Sequence, residues 1–181
     1  MAFTVPRDWV GGELVTEAIM DTHVRDNFLA MGPHLIVRKT ADESLTSNTT
    51  LQNDDVLLLP LLANEIWQFV FGLSMSAGSG TGDIKVAFTF PAGGEISASA
   101  PGPNENNVFQ AGRFEGTTTP TTSVNFGFSA SATSRSYQEI RGVFINAGTA
   151  GNLQLQWAQR ASSATATIMR ANSTLWAVKL N

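Results

Sequence analysis

RKTADESLTSNTTLQNDDVLLLPLLANEIWQFVFGL, residues Arg38 to Leu73, sets the constraint that the rest of the chain must meet. It reads as an extended lead-in, a polar turn at Gln52-Asn53-Asp54-Asp55, an apolar run Val56–Leu62, a second turn at Ala63-Asn64-Glu65 and a long strand Ile66–Leu73. Successive side chains of a strand alternate sides, so Trp67, Phe69, Phe71 and Leu73 share one face. Ile66, Gln68, Val70 and Gly72 share the other, which is half apolar. Burying the first set contributes roughly 6–12 kcal/mol before chain entropy is subtracted, at about 1.5–3 kcal/mol per large side chain. Such a strand belongs deep inside a sheet structure.

Outward from that stretch, period-two patterns recur to the C-terminus. Leu35–Lys39 is a short strand. Asp83–Phe90 alternates with Ile84, Val86, Phe88 and Phe90 on one face, and the Gly-rich 77–82 segment before it reads as a hairpin loop. Pro91–Glu105 reads as a surface loop with at most one short strand, Val108–Glu115 as an edge strand and Thr117–Thr122 as a second polar loop. Ser123–Ala130 alternates through Val124, Phe126 and Phe128, and Tyr137–Asn146 through Ile140, Gly142 and Phe144. In Leu153–Gln159, Leu153, Leu155 and Trp157 face a core while Gln154, Gln156 and Ala158 face out. Ala164–Arg170 and Ser173–Leu180 close the chain as a hairpin through Ala171-Asn172. Short strands at this spacing with no helix between them predict an all-β fold, an antiparallel sandwich of jelly-roll type. No repeat of solenoid or propeller period is present.

The N-terminal residues differ in kind. Pro6, Trp9 and Gly11-Gly12 suit an extended arm, and a helix is predicted after it, with Thr16 as N-cap, Glu17 and Asp21 near its positive end and Gly32-Pro33 as its stop. Met20, Val24, Phe28 and Met31 fall on one apolar stripe, while Asp21, Arg25 and Asp26 turn to water. About 15 residues of isolated helix are marginal in water, so this segment needs a docking surface on its own β-domain, a sister subunit or another protein. Two units are therefore expected: an arm and helix over 1–34, and a sandwich over 35–181.

Composition bounds the chemistry. The 181 residues suit one domain with an appended arm. Charged residues make up 14%, against roughly 25% in an average soluble domain, so the surface must be covered by uncharged polar groups or hidden against other subunits. A net charge of -4 without any basic stripe argues against nucleic-acid binding. The absence of Cys removes disulfides and thiol chemistry, and two separated His residues make a His-based metal site improbable. No secretory signal and no membrane-spanning run are visible.

Catalytic motifs are equally scarce. His23 and His34 neighbour no nucleophile motif, so capping or surface roles are simpler. Asp42-Glu43 and Asp54-Asp55 bear on a Ca²⁺ site or a carboxylate pair, but adjacent carboxylates in a strand point to opposite faces and Asn-Asp-Asp is common turn chemistry. Gly78-Ser79-Gly80-Thr81-Gly82 lacks the Gly-Lys-Ser/Thr ending of a phosphate loop. Trp157 and Trp176 are better placed in a core than on a sugar-binding face. No enzyme activity and no cofactor are expected.

The segment TVPRDWVGGELVTEAIMDTHVRDNFLAM resembles the N-terminal segment of structural proteins of tailed bacteriophages. RKTADESLTSNTTLQNDDVLLLPLLANEIWQFVFGL, DIKVAFTFPAGG and NAGTAGNLQLQWAQRASSATATIMRANSTLWAVKL are similar to a β-domain of phage tail-fibre, head-fibre and capsid-decoration proteins. The middle, from about Glu95 to Arg135, is unmatched. The resemblance implies a jelly-roll-like sandwich that assembles as a homotrimer on the virion exterior, with the N-terminal segment joining it to other phage structural proteins. On that reading Trp9, Met20, Val24, Phe28 and Met31 serve virion attachment, and Ile66 and Val70 lie at the subunit interface. Capsid decoration or a head-attached fibre is the leading expectation. The alternative is a tail-fibre or minor tail protein contacting a host glycan or protein through the loops at 91–105 and 117–122; a glycan-active enzyme is a distant third, because no acid pair can be named.

Overall fold

The computed structural model describes residues 4–5, 7–30, 34–78, 83–103, 109–127 and 131–181. The all-β expectation is borne out: apart from one helical stretch near the N-terminus, the ordered elements are antiparallel strands in two sheets. They are β1 (His34–Arg38), β2 (Glu43–Leu45), β3 (Gln52–Leu61), β4 (Ile66–Ala77), β5 (Ile84–Thr89), β6 (Glu95–Pro103), β7 (Phe109–Gly116), β8 (Val124–Phe126), β9 (Ser131–Ile145), β10 (Gly151–Gln159), β11 (Thr167–Met169) and β12 (Thr174–Lys179).

One sheet runs β1-β12-β4-β9-β6-β7, with β11 and β2 continuing β12 and β1 past a break; the other runs β3-β10-β5-β8. With the β6–β7 hairpin set aside, and β1/β2 and β11/β12 each counted once, the sheets read first-eighth-third-sixth and second-seventh-fourth-fifth. Consecutive strands thus alternate between the sheets except at the fourth and fifth, which is jelly-roll order.

The drive comes from β4, as its pattern demands. Trp67, Phe69, Phe71, Leu73 and Met75 are buried, and Phe69 and Phe71 meet Phe88 of β5 across the sandwich at ring-centroid distances of 6.1 and 5.2 Å. Phe88 also makes an edge-on contact with Phe114 of β7 at 4.9 Å. Leu57, Leu59, Leu153, Leu155 and Trp157 complete the second sheet's inner face.

Five local expectations are corrected. First, 52–55 is not a free turn but the start of β3, bent by a bulge where β10 shifts register between Gln154 and Gln156. Second, the segment read as a loop with at most one short strand holds the nine-residue β6, which pairs with both β7 and β9, and residues 104–105 fall outside the described residues. Its inward positions Ile96, Ala98, Ala100 and Gly102 are mostly too small to register as apolar alternation. Pro101 and Pro103 lie beyond the β9 ladder, where no backbone N–H is required of them, and the Gln138 amide donates to the Pro101 carbonyl instead. Third, β11 and β12 form no hairpin. They lie end to end along β4, separated by an outward bend in which Asn172 takes a positive φ of 72°. Fourth, β4 and β5 lie in different sheets, so no hairpin joins them, and residues 79–82 of that connection fall outside the described residues. Fifth, Gln154 and Ala158 are buried, while Trp176 is 39% exposed rather than in the core.

Candidate interaction surfaces

The helical stretch begins where its sequence signals it, with the Thr16 hydroxyl accepting from the Ile19 amide at 3.4 Å. It runs through an α turn (Glu17–Met20), a π-helical turn (Asp21–Arg25) and a second α turn (Asp26–Ala30). The wide middle turn is braced by Arg25, which pairs with Asp21 at 2.7 Å and Asp26 at 2.9 Å. The arm folds back on this helix: Thr4 donates its amide to Asn27 Oδ1 at 2.8 Å, and Asn27 Nδ2 donates to the Thr4 carbonyl at 3.0 Å and the His23 carbonyl at 3.1 Å. Arg7 pairs with Glu13 and stacks its guanidinium over Trp9 at 5.3 Å. Among the described side chains of the helix, Asn27 is the buried one. Val5, Trp9, Val10, Leu14, Met20 and Phe28 are exposed, with Phe28 at 66%, and Val24 is half-buried. Met31 and the Gly32-Pro33 stop lie outside the described residues.

A second surface is the outer face of the larger sheet. Strand pairing sets Ile36, Trp176, Val70, Arg141, Ser99 and Arg113 in one row across five ladders, and directly opposed residues share a face. The row grades from apolar to charged. Ile36 is 73% exposed at one edge, while Arg141, Arg113 and Glu115 surround a shallow cleft of about 210 Å³ at the other. Val70 sits half-buried in the row, and Ile66, also half-buried, opposes the exposed Ile145. The residues expected at a subunit interface thus lie on this face.

At one end of the sandwich, His34, Leu35, Pro60, Leu61, Leu62, Glu65 and Trp67 line an apolar cleft of about 320 Å³. Glu65 anchors its wall, accepting from the Leu62 amide at 2.8 Å, Trp67 Nε1 at 3.0 Å and Lys179 at 2.8 Å. Burial pushes the Glu65 carboxyl up, but these bonds outweigh it and hold the group below its ordinary range.

A fourth feature is not legible in the sequence as a site. Lys39 is 2% exposed, and its Nζ contacts Asp54 Oδ2 at 2.8 Å and Glu43 Oε2 at 2.7 Å. The other oxygen of Asp54 accepts from the Val56 amide at 2.9 Å and the Leu57 amide at 2.7 Å, so the bulge in β3 turns this carboxylate inward and fixes it. Burial opposes the Lys39 charge, but the bonds to Asp54 and Glu43 prevail and keep the ammonium above the ordinary lysine range. For Glu43, burial and the Asp54 charge prevail over the Lys39 bond and raise the carboxyl. The available signal was parity, since Lys39 continues the inward positions Leu35 and Val37.

Among the described residues, no cluster of His, Asp and Glu suited to a metal ion occurs, and no helix is long and apolar enough to cross a membrane. No family model and no curated protein matches the chain. Among solved structures, it is similar to the VP2 subviral particle of infectious bursal disease virus, at 9% identity over 81% of this chain and 40% of that chain, with a TM-score of 0.19. The Gt strain of the same virus gives 10% identity over 82% of this chain and 42% of that one, with a TM-score of 0.20. The chain therefore spans about two fifths of the length of those capsid proteins. Overlap this slight identifies neither fold nor role; the jelly-roll order rests on strand pairing alone.

Proposed function

We propose that the chain is a structural subunit of a bacteriophage virion, a homotrimer of jelly rolls on the particle exterior, acting as capsid decoration or a head-attached fibre. The observation that carries this reading is the arm and helix, which present Trp9, Met20 and Phe28 to solvent while Thr4 pairs with Asn27 and Arg7 with Glu13 inside the segment. A segment built that way is complete only when another surface covers it. Its work is non-covalent cementing. The arm lies across neighbouring particle subunits, the outer face of the larger sheet meets sister copies, and several weak contacts per trimer add through effective concentration.

The test is co-sedimentation with particles that lack the protein. The full chain is expected to bind; a chain without residues 1–33, and a full chain carrying Trp9→Ser with Phe28→Ser, are expected to stay folded by circular dichroism and remain in the supernatant. Undiminished binding by both would refute the anchoring role. A tail-fibre or minor tail protein in host recognition is the second reading. It is favoured by the β6–β7 hairpin, which extends the larger sheet beyond jelly-roll order and ends at Phe109, 75% exposed. Retention of the full chain on host cells, with no binding to particles, would select it.

A further inference from the structure

We propose that Lys39 and Asp54 form an intramolecular amide bond, made by the chain itself with Glu43 as the proton carrier. Three features of the buried cluster converge on this chemistry. The nitrogen of Lys39 is held 2.8 Å from Asp54 Oδ2, with Asp54 fully buried. Two backbone amides converge on the opposite oxygen, Oδ1, at 2.9 and 2.7 Å, the placement that stabilises an oxyanion as a carboxyl carbon becomes tetrahedral. A second carboxylate, Glu43, touches the same nitrogen at 2.7 Å. Fixed proximity replaces the encounter that makes amide formation slow between free groups.

The step balances without a cofactor. Glu43 takes a proton from the Lys39 ammonium, leaving a free amine. The amine lone pair attacks Asp54 Cγ, forming the C–N bond, and charge gathers on Oδ1 between the Val56 and Leu57 amides. The Cγ–Oδ2 bond then breaks, and Oδ2 departs as water with the proton returned by Glu43 and a second proton from the nitrogen. An ammonium and a carboxylate become an amide and one water, and Glu43 ends as it began. Burial raises the Glu43 carboxyl toward this exchange, while the bonds that hold the Lys39 ammonium charged make the free amine a minor species and the step slow. The product joins the β1–β2 junction to the bulge of β3, and so ties one sheet to the other covalently. It also removes a buried charge pair, which is costly to keep out of water. The inference is independent of the virion reading.

Intact mass spectrometry of the denatured full-length protein, followed by peptide sequencing, tests it. The expected mass is one water below that of the sequence, with a branched peptide joining Lys39 to Asp54 and no tryptic cut after Lys39. Lys39→Arg and Asp54→Ala are expected at full sequence mass. Glu43→Gln is expected to lose the water more slowly in a mass time course after synthesis, and a rate equal to wild type would overturn the role given to Glu43. A wild-type chain at full sequence mass after prolonged incubation, or a water loss mapped elsewhere, would overturn the bond itself, whether or not any variant folds.

Discussion

Phe88→Ala removes a ring at the seam between the two sheets. Phe88 is fully buried on β5, and its ring meets Phe71 at 5.2 Å and Phe69 at 6.1 Å from β4, and Phe114 at 4.9 Å from β7. One side chain of the smaller sheet thus contacts three rings of the larger. Truncating a buried Phe to Ala costs about 3–5 kcal/mol, and the edge-on contact with Phe114 places this site toward the upper end. Against a total stability of about 5–15 kcal/mol that is a large fraction. For a chain of this size it corresponds to a fall in Tm of roughly 6–20 °C. Urea unfolding followed by fluorescence is the assay, with Phe109→Ala as control, because Phe109 is exposed and its loss should stay within about 0.5 kcal/mol. The expected signature is a lower midpoint at unchanged slope. A loss under about 1 kcal/mol for Phe88→Ala would refute the assignment of this ring to the seam between sheets.

Other predictions follow from single sites. Glu65 has a folded-state pKa below its unfolded value, so its bonds stabilise the fold above the unfolded pKa, about 4.3, and that contribution disappears as pH falls through the folded value. Tm measured from pH 7 down to pH 3 should fall less steeply in Glu65→Gln than in wild type, and parallel curves would exclude the effect. At Gly142 an added Cβ would strike the Ser97 carbonyl and Ala98 of β6, both fixed by pairing, whereas at Gly148 it would meet nothing within 4 Å. Gly142→Ala should therefore lower the urea midpoint clearly and Gly148→Ala should not; equal midpoints would contradict the close approach of β6 and β9.

What the sequence disclosed follows from the size of its signals. Trp67, Phe69, Phe71 and Leu73 are large and strictly alternate, so the core face of β4 was legible before any coordinates. The same rule missed β6, whose inward Ala98, Ala100 and Gly102 bury little area and whose prolines read as loop. It misread β11 and β12, because a turn signal at Ala171-Asn172 is the same for a hairpin and for a bulge between two segments on one partner strand. Hydrophobicity alone places Trp176 in the core, yet its face depends on a register set by β4 and β1, which only the fold supplies. Lys39, Glu43 and Asp54 were visible as charges near turns. Their convergence required the bulge in β3 and the break between β1 and β2, neither of which has a short sequence signature.

We propose that the outer sheet face carrying Ile36, Trp176 and Val70, and the arm and helix carrying Trp9 and Phe28, bind other molecules. The most direct measurement is the mass of the full chain in solution by light scattering, for wild type and for Ile36→Asp. Ile36 is largely exposed, so the substitution costs the lone subunit little but would bury an unpaired carboxylate in an assembly. A trimer that Ile36→Asp dissociates into folded monomers is the predicted result. A wild-type chain that is monomeric at every concentration tested would contradict it.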